Sequence, residues 1–595
     1  MRQLFLLGCC CMLLASCKLM PKEHPIAQSE ASFGQFLEDY YQGRMKLSPL
    51  EATQNGDNRY NALLPAEFTD SYRDSLKSFY TIFRDSLSGF DRNALNDNDR
   101  LSYDILGWEL GTRLDGFRFH SNYIPFNQFG GLPLTMGQLG SGDGFQPFHT
   151  TKDHEDWLLR ARALGSWADS AIVYFRKGID SKIVLPRALV LKMIPQLEAM
   201  VTDQPEKSLF YGPVNKLKDD PDTATVRRLT SAYVRVIKEV IVPSYKKLAD
   251  FLKNEYLPKA RASTGIGVLP DGAAWYAYLV RDQTTTKKTP EEIYQTGLKE
   301  VARIRAVMDS VRNAVGFKGD LGAFFAYMRS DKKFMPYKTP QEVLAAFEAI
   351  HQRMQPNLQK MFNHVPKTGF EIRQTEAFRA ASASAEYNQG SADGKRPGIF
   401  YVPILDATKF NTTSGMESLF LHEAIPGHHY QISLQQEDTA LPAFRRFGGN
   451  NAYVEGWALY CESLGKELGL YTDPYQYMGA LGDEIHRAIR LVVDVAIHTR
   501  GMTREEAIKY MMDNEAISED GATAEIERYM AIPGQALGYK IGALKIRELR
   551  HKYEVELGAR FRLADFHDEI LKDGAMPLEV LEKKMDAWEA TVKEK

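Results

Sequence analysis

The sequence predicts a mainly α-helical protein: a large helical body with a deep cleft and one small β-sheet next to a histidine-bearing helix. Apolar residues recur at helical spacing through most of the chain, helix-start signals are frequent, and strand signals are few. At 595 residues the chain is long for one core, yet no glycine–serine linker or charge block divides it after the N-terminus. Residues 31–595 therefore read as a single helix-rich domain. The net charge is −3, 25% of residues are charged and no basic stripe is present, which argues against nucleic acid as a partner.

The first residues stand apart from that body. Arg2 opens a short apolar run, Leu4 to Ala15, too brief to span a bilayer and of the length of a secretory apolar segment. Leu14-Ala15-Ser16-Cys17 resembles a bacterial lipobox. Cleavage before Cys17 would remove residues 1–16 as a signal peptide, leave Cys17 as the lipidated terminus and make residues 17–30 a polar tether. The expected partner at this end is a membrane, reached through the lipid anchor. Lys18-Leu19-Met20 lacks the acidic cluster that resembles a surface-export signal, so the expected location is the outer membrane, facing the periplasm. Cys9, Cys10 and Cys11 would leave with the signal, so Cys461 is expected as the free, buried thiol of a mature chain without disulfides.

Further on, Thr289-Pro290-Glu291-Glu292 and Thr339-Pro340-Gln341-Glu342 each offer a threonine cap, a proline in the first turn and a glutamate placed to close a capping box. Thr503-Arg504-Glu505-Glu506 repeats the device without proline. After the first box, Ile293, Leu298, Val301, Ile304 and Met308 keep near-helical spacing. The best strand signal is Gly398-Ile399-Phe400-Tyr401-Val402-Pro403, bounded by Pro397 and Pro403. Its prolines suggest an edge strand, which could pair with an extended peptide and bring Tyr401 to it; the alternative is a packing strand of a small sheet.

About twenty residues later comes His422-Glu423-Ala424-Ile425-Pro426-Gly427-His428-His429. In the HExxH arrangement, two imidazoles one helical turn apart grip zinc and the glutamate beside the first acts as general base toward a metal-bound water. The order of residues is the same here, but His422 and His428 are six apart. On a regular helix they would point roughly 240° apart and sit about 9 Å along the axis, too far for one ion. The segment must therefore deform, and Pro426-Gly427 supplies the means as a bulge of two extra residues. His428 is then the natural second ligand and His429 the runner-up. A tetrahedral catalytic zinc needs a third protein ligand. Asn451 to Glu462 reads as a mostly apolar helix with two carboxylates, of which Glu455 is the expected third ligand. Glu462 either orients a ligand imidazole or is a solvated helix charge.

These segments resemble the bacterial family catalogued as domain of unknown function 885, whose members look like relatives of zinc metallopeptidases with a glutamate third ligand. The matching residues are Arg396 to Tyr401, the His422 octapeptide with Tyr430-Gln431, Glu455-Gly456-Trp457-Ala458-Leu459-Tyr460, Arg490-Leu491-Val492-Val493-Asp494 with His498, and Arg528-Tyr529 followed by Pro533-Gly534-Gln535-Ala536 with Tyr539. An earlier match is Leu269-Pro270-Asp271-Gly272 with Tyr276-Ala277-Tyr278 and Thr284-Thr285-Thr286. The resemblance implies one Zn²⁺ ion and catalytic roles for Glu423, and for Tyr539 and His498 at a developing oxyanion, with Asp494 one turn before His498 to hold it. Arg528, and Arg490 or Arg487, become candidates to clamp a substrate carboxylate; the plainer reading of each is a solvated helix face. The expected activity is zinc-dependent hydrolysis of peptide bonds, in short peptides. The alternatives are a zinc amidase acting on a small non-peptide amide and a catalytically silent, lipid-anchored binding protein.

Overall fold

The computed structural model describes residues 30–217, 222–375, 384–390 and 397–594. The signal segment, Cys17 and most of the tether lie outside the described residues. Among the described residues no helix is long and apolar enough to cross a membrane.

The fold is mainly α, with one three-stranded mixed sheet. Local signals start many of its helices. At Pro290–Ala314 and Arg504–Asn514 the threonine caps and third-position glutamates close reciprocal capping boxes. Ile293, Val301, Ile304 and Met308 of the first helix are buried, as their spacing requires, while Leu298 is half-buried. At Pro340–Met361 the box is shifted: Thr339 caps the Glu342 amide, but the Glu342 carboxylate reaches back to the Lys338 amide at 2.7 Å.

Two apolar cores lie on either side of the long helix Pro474–Thr499. Its Leu491 and Val495 face one, which also holds Phe420, Trp457 and Ile541; Ile485, Ile489, Val492 and Val493 face the other, with Trp167, Phe175 and Met308. Every residue from Ala488 to His498 is buried. This helix is therefore a spine, and polar groups on it must find partners inside the protein.

Strand β3 (Gly398–Val402) is the centre of the sheet and not its edge. It pairs in parallel with β1 (Phe370–Gln374), Phe370 opposite Gly398, and antiparallel with β2 (Glu386–Asn388), Glu386 opposite Tyr401. The prolines that suggested an edge fall just outside the strand, so all five of its amides remain to donate. Its nearly continuous burial is that of a strand covered on both faces. With both sides of β3 occupied, a substrate cannot pair with it. Side-chain alternation then decides where Tyr401 goes. Gly398 and Phe400 face the helices that follow, against His429 and Phe420, so Tyr401 projects from the opposite face, where it engages Arg373 of β1. The structure does not bring Tyr401 to the histidine cluster.

Candidate metal centre

Two helices meet end to end at the histidine cluster. Met416–Glu423 carries His422 and Glu423 in its last turn; His428–Glu437 begins at His428. Between them the chain leaves helical geometry altogether at Ala424 (φ −106°, ψ −102°), passes the cis Ile425–Pro426 peptide and turns back at Gly427 (φ −73°, ψ −128°). The two extra residues thus produce a full break where a bulge within one helix was expected. Its purpose is the same: the His422 and His428 ring centroids are 4.8 Å apart. Gly427 is required by close approach, since a Cβ there would sit 1.9 Å from the His422 carbonyl oxygen and 2.4 Å from that of Leu421.

The break is fastened from the third side. Helix Asn451–Glu462 lies across it, and the Trp457 indole N–H donates to the Pro426 carbonyl at 2.8 Å. One residue before, Gly456 touches Gly542 of helix Leu537–Leu557 backbone to backbone; a Cβ on Gly456 would lie 2.5 Å from the Gly542 Cα. Glu455, beside that crossing, points its Oε2 at both imidazoles, 3.5 Å from His422 Nε2 and 3.5 Å from His428 Nε2. One donor atom from each of the three residues falls within a 4.8 Å cluster. Glu455 Oε2 and His428 Nδ1 are buried and have no hydrogen-bond partner among the described residues.

His422 is held from behind. Its Nδ1 lies 2.8 Å from Glu462 Oε1, and both residues are buried, so Glu462 orients the His422 imidazole and is not a solvated charge. Arg487 lies 3.8 Å from the same carboxylate oxygen and 3.2 Å from Asp483. Burial works against charge on His422, but Glu455 and Glu462 outweigh it and raise its pKa to about 10. Burial pushes Glu455 the other way, yet the two histidines hold it far below the carboxylate range. Burial raises Glu423, with His422 and His428 pulling it back.

Of the remaining expected residues, Tyr539 reaches the site and His498 does not. The Tyr539 ring lies parallel to the His422 ring at 6.5 Å, and burial, then Glu455, raises its phenol pKa. Both nitrogens of His498 are committed to backbone: Nδ1 accepts from the Ile266 amide at 3.0 Å and Nε2 lies 3.1 Å from the Tyr529 carbonyl. Burial lowers its pKa to about 3, and it has no atom to offer an oxyanion. Nor does Asp494 hold it. Asp494 accepts from Tyr276 Oη at 2.6 Å and from the Gly534 amide at 3.1 Å, which anchors the turn that starts the Tyr539 helix. His429 is likewise outside the converging triad: its Nδ1 lies 3.0 Å from Tyr387 Oη, its ring packs on Phe370, and burial lowers its pKa to about 4. Cys461 is buried, as expected of a small apolar residue.

Arg490 and Arg528 lie beyond Tyr539 and are not a solvated face. Arg490 has its guanidinium 4.7 Å from the Tyr539 ring centroid. Both arginines bond Glu525, at 3.1 and 3.2 Å. Glu525 went unnoticed in the sequence, although its i,i+3 and i,i+4 spacing to Arg528 and Tyr529 was a readable sign.

The model of the family described as "Bacterial protein of unknown function (DUF885)" matches residues 49–585. A crystal structure of a proposed lipoprotein from Colwellia psychrerythraea is similar with a TM-score of 0.88 and 28% identity, covering 95% of this chain and 100% of that one. A proposed lipoprotein of unknown function from Shewanella oneidensis shares the fold at a TM-score of 0.71 and 19% identity, over 94% of this chain and 100% of its own. No curated protein matches the chain.

Proposed function

This chain belongs to the bacterial family of unknown function DUF885, and from that premise we propose that it is a zinc-dependent hydrolase of peptide bonds, acting on short peptides. The observation that supports this most is the convergence of His422, His428 and Glu455 across a broken helix, beside a buried glutamate. Donors around a tetrahedral ion with bonds of about 2.0–2.1 Å stand roughly 3.3–3.5 Å apart, and two of the three separations here are 3.5 Å. The Glu455 Oε2 faces two imidazole nitrogens at 3.5 Å each, a donor set that suits a cation far better than an apolar or anionic group. The Glu462 carboxylate behind His422 is the usual support of a zinc-bound imidazole.

When bound there, zinc would polarise the scissile carbonyl and acidify water. Glu423, raised by burial, takes the proton of the attacking water and passes it to the leaving amine nitrogen. Tyr539 offers its phenol to the oxyanion that forms on the carbonyl oxygen. His422, Glu423 and His428 are each at most 9% exposed, which favours short peptides over loops of folded proteins. The two similar solved proteins are described as proposed lipoproteins, and with the lipobox-like segment ending at Cys17 they support a lipid-anchored envelope protein. Our placement of it is the periplasmic face of the outer membrane.

Metal analysis of the purified protein, run beside a peptide-library digest with and without chelator, tests the reading. About one zinc per chain and chelator-sensitive cleavage are expected. A protein that takes up no zinc, or that cleaves no peptide when loaded, sinks it.

A further inference from the structure

Next to the proposed zinc site is a cluster of cationic side chains whose hydrogen bonds are incomplete. Glu525 accepts from Tyr529 Oη at 2.5 Å, from Arg490 Nη2 at 3.1 Å and from Arg528 Nη1 at 3.2 Å. His486 lies 3.4 Å from it but is paired more closely with Glu515, at 2.8 Å. Two guanidinium groups thus share one carboxylate. Burial alone would raise Glu525; Arg490, His486 and Arg528 outweigh it and keep it ionised. Arg490 has a side chain only 7% exposed, and its Nη1 has no hydrogen-bond partner among the described residues; neither has Arg528 Nε. Buried, partnerless donors on a surplus of positive charge call for an anionic acceptor. Phe129, half exposed, lies 5.4 Å from the Arg528 guanidinium and marks where this cluster nears solvent.

Distance limits what that anion can be. Arg490 is 4.7 Å from the Tyr539 ring centroid and Tyr539 is 6.5 Å from that of His422, so the guanidinium is no more than about 11 Å from the His422 ring. A carboxylate gripped by a guanidinium sits about 4 Å from its central carbon. Each extended residue spans at most roughly 3.6 Å. Between the cleaved bond and the carboxylate there is room for one or two residues.

We infer that Arg490 and Arg528 form a subsite for the free C-terminal carboxylate of a peptide, making this protein a carboxy-terminal exopeptidase that releases one or two residues per cleavage. The inference rests on the peptidase reading above. Hydrolysis breaks the C–N bond; the hydroxyl of one water joins the acyl carbon, its proton joins the leaving nitrogen, and the terminal carboxylate leaves unchanged on the released fragment. A site built to bind a charged group rejects the analogue that lacks it far more strongly than an apolar pocket rejects a missing methylene.

The experiment compares one blocked pentapeptide as free acid and as C-terminal amide, with the zinc-loaded full chain, reading products by mass spectrometry. Cleavage of the acid near its C-terminus, with kcat/KM for the amide at least a hundredfold lower, is expected. In Arg490→Gln and Arg528→Gln the acid-to-amide ratio should collapse toward one, and Arg490→Lys should retain part of it. Binding of the product dipeptide to the unaltered protein, acid against amide, keeps the test independent of how the variants fold. Equal rates on acid and amide, or internal cleavage, overturn the exopeptidase while leaving the peptidase. An amide with a glutamate near its C-terminus, cleaved as fast as the free acid, overturns the terminal assignment in favour of a side-chain carboxylate. Cleavage of neither peptide by zinc-loaded protein overturns both readings.

Discussion

Replacing Glu462 should weaken zinc binding without touching a ligand. The carboxylate stands 2.8 Å behind His422 Nδ1 in a buried pair, whereas His428 Nδ1 has no partner among the described residues, so the orientation of the ligand imidazoles depends on Glu462. Across the ring, a charge on Glu462 lies about 7 Å from an ion held at Nε2. At an effective dielectric constant near 20, removing it would cost roughly 4–5 kcal/mol of attraction to a divalent cation. Arg487, 3.8 Å from the same oxygen, already offsets part of that field. The loss should therefore fall in the ~10–100-fold range typical of such supporting carboxylates, about 1.4–2.7 kcal/mol. Glu462→Gln, which keeps an acceptor for the imidazole N–H, belongs near tenfold; Glu462→Ala, which also loses the orientation, belongs near a hundredfold. Competition against a fluorescent chelator measures the affinity, and a thermal melt of the metal-free variants separates folding from binding. Affinities within twofold of the unaltered protein in both variants, with folding intact, would refute the claim that Glu462 supports the metal.

Alanine at His422, His428 or Glu455 should empty the site in metal analysis, whereas Glu423→Gln should keep its zinc and lose about 10²–10⁴-fold in turnover; zinc retained in His428→Ala but lost in His429→Ala would reverse the ligand assignment. In the metal-free protein His422 titrates at about 10, above its ordinary 6.5, so its proton stabilises the fold fully below pH 6.5 and that contribution fades as pH rises toward 10. An incoming ion must displace this proton, so zinc affinity should climb about tenfold per pH unit between pH 7 and 8.5, with about one proton released per ion in calorimetry across buffers; a flat profile there would contradict the pairing with Glu455 and Glu462. Gly427→Ala places a methyl group 1.9 Å from a carbonyl oxygen and should destabilise the protein by more than about 3 kcal/mol in denaturant melts, or leave it folded without zinc; a variant with normal stability and zinc content would show that the break tolerates a side chain. Cys17→Ser should abolish lipidation and release the protein from membrane fractions; unchanged membrane association would count against the anchor.

Much of this was legible from local chemistry. The caps at Thr289 and Thr503 involve residues three apart, and the misfit of His422 to His428 follows from helix pitch alone. What eluded sequence reasoning depends on neighbours distant in the chain. Pro397 and Pro403 looked like edge markers because nothing local says that Phe370–Gln374 and Glu386–Asn388 arrive on both sides of Gly398–Val402. Asp494 and His498 have the spacing of a dyad, but the stretch of helix that carries them, residues 488–498, is buried all round, so Tyr276, Gly534, Ile266 and Tyr529 compete for them and win. Glu462 was ambiguous for the same reason: 40 residues separate it from His422, and only the crossing of their helices pairs them.

The break at residues 424–427 also determines when the site can come into being. In a plain HExxH helix the two histidines stand one turn apart as soon as that helix forms, so even a short peptide offers a chelate. Here their distance is made by a non-helical link pinned through Trp457 to the helix that bears Glu455, and that helix is seated by the Gly456–Gly542 contact about ninety residues further along. An unfolded chain therefore carries scattered donors and no preformed trap for zinc. On the proposed zinc reading, metal loading would follow tertiary closure, and such a chain could be threaded through a membrane without stripping metal from the compartment it leaves.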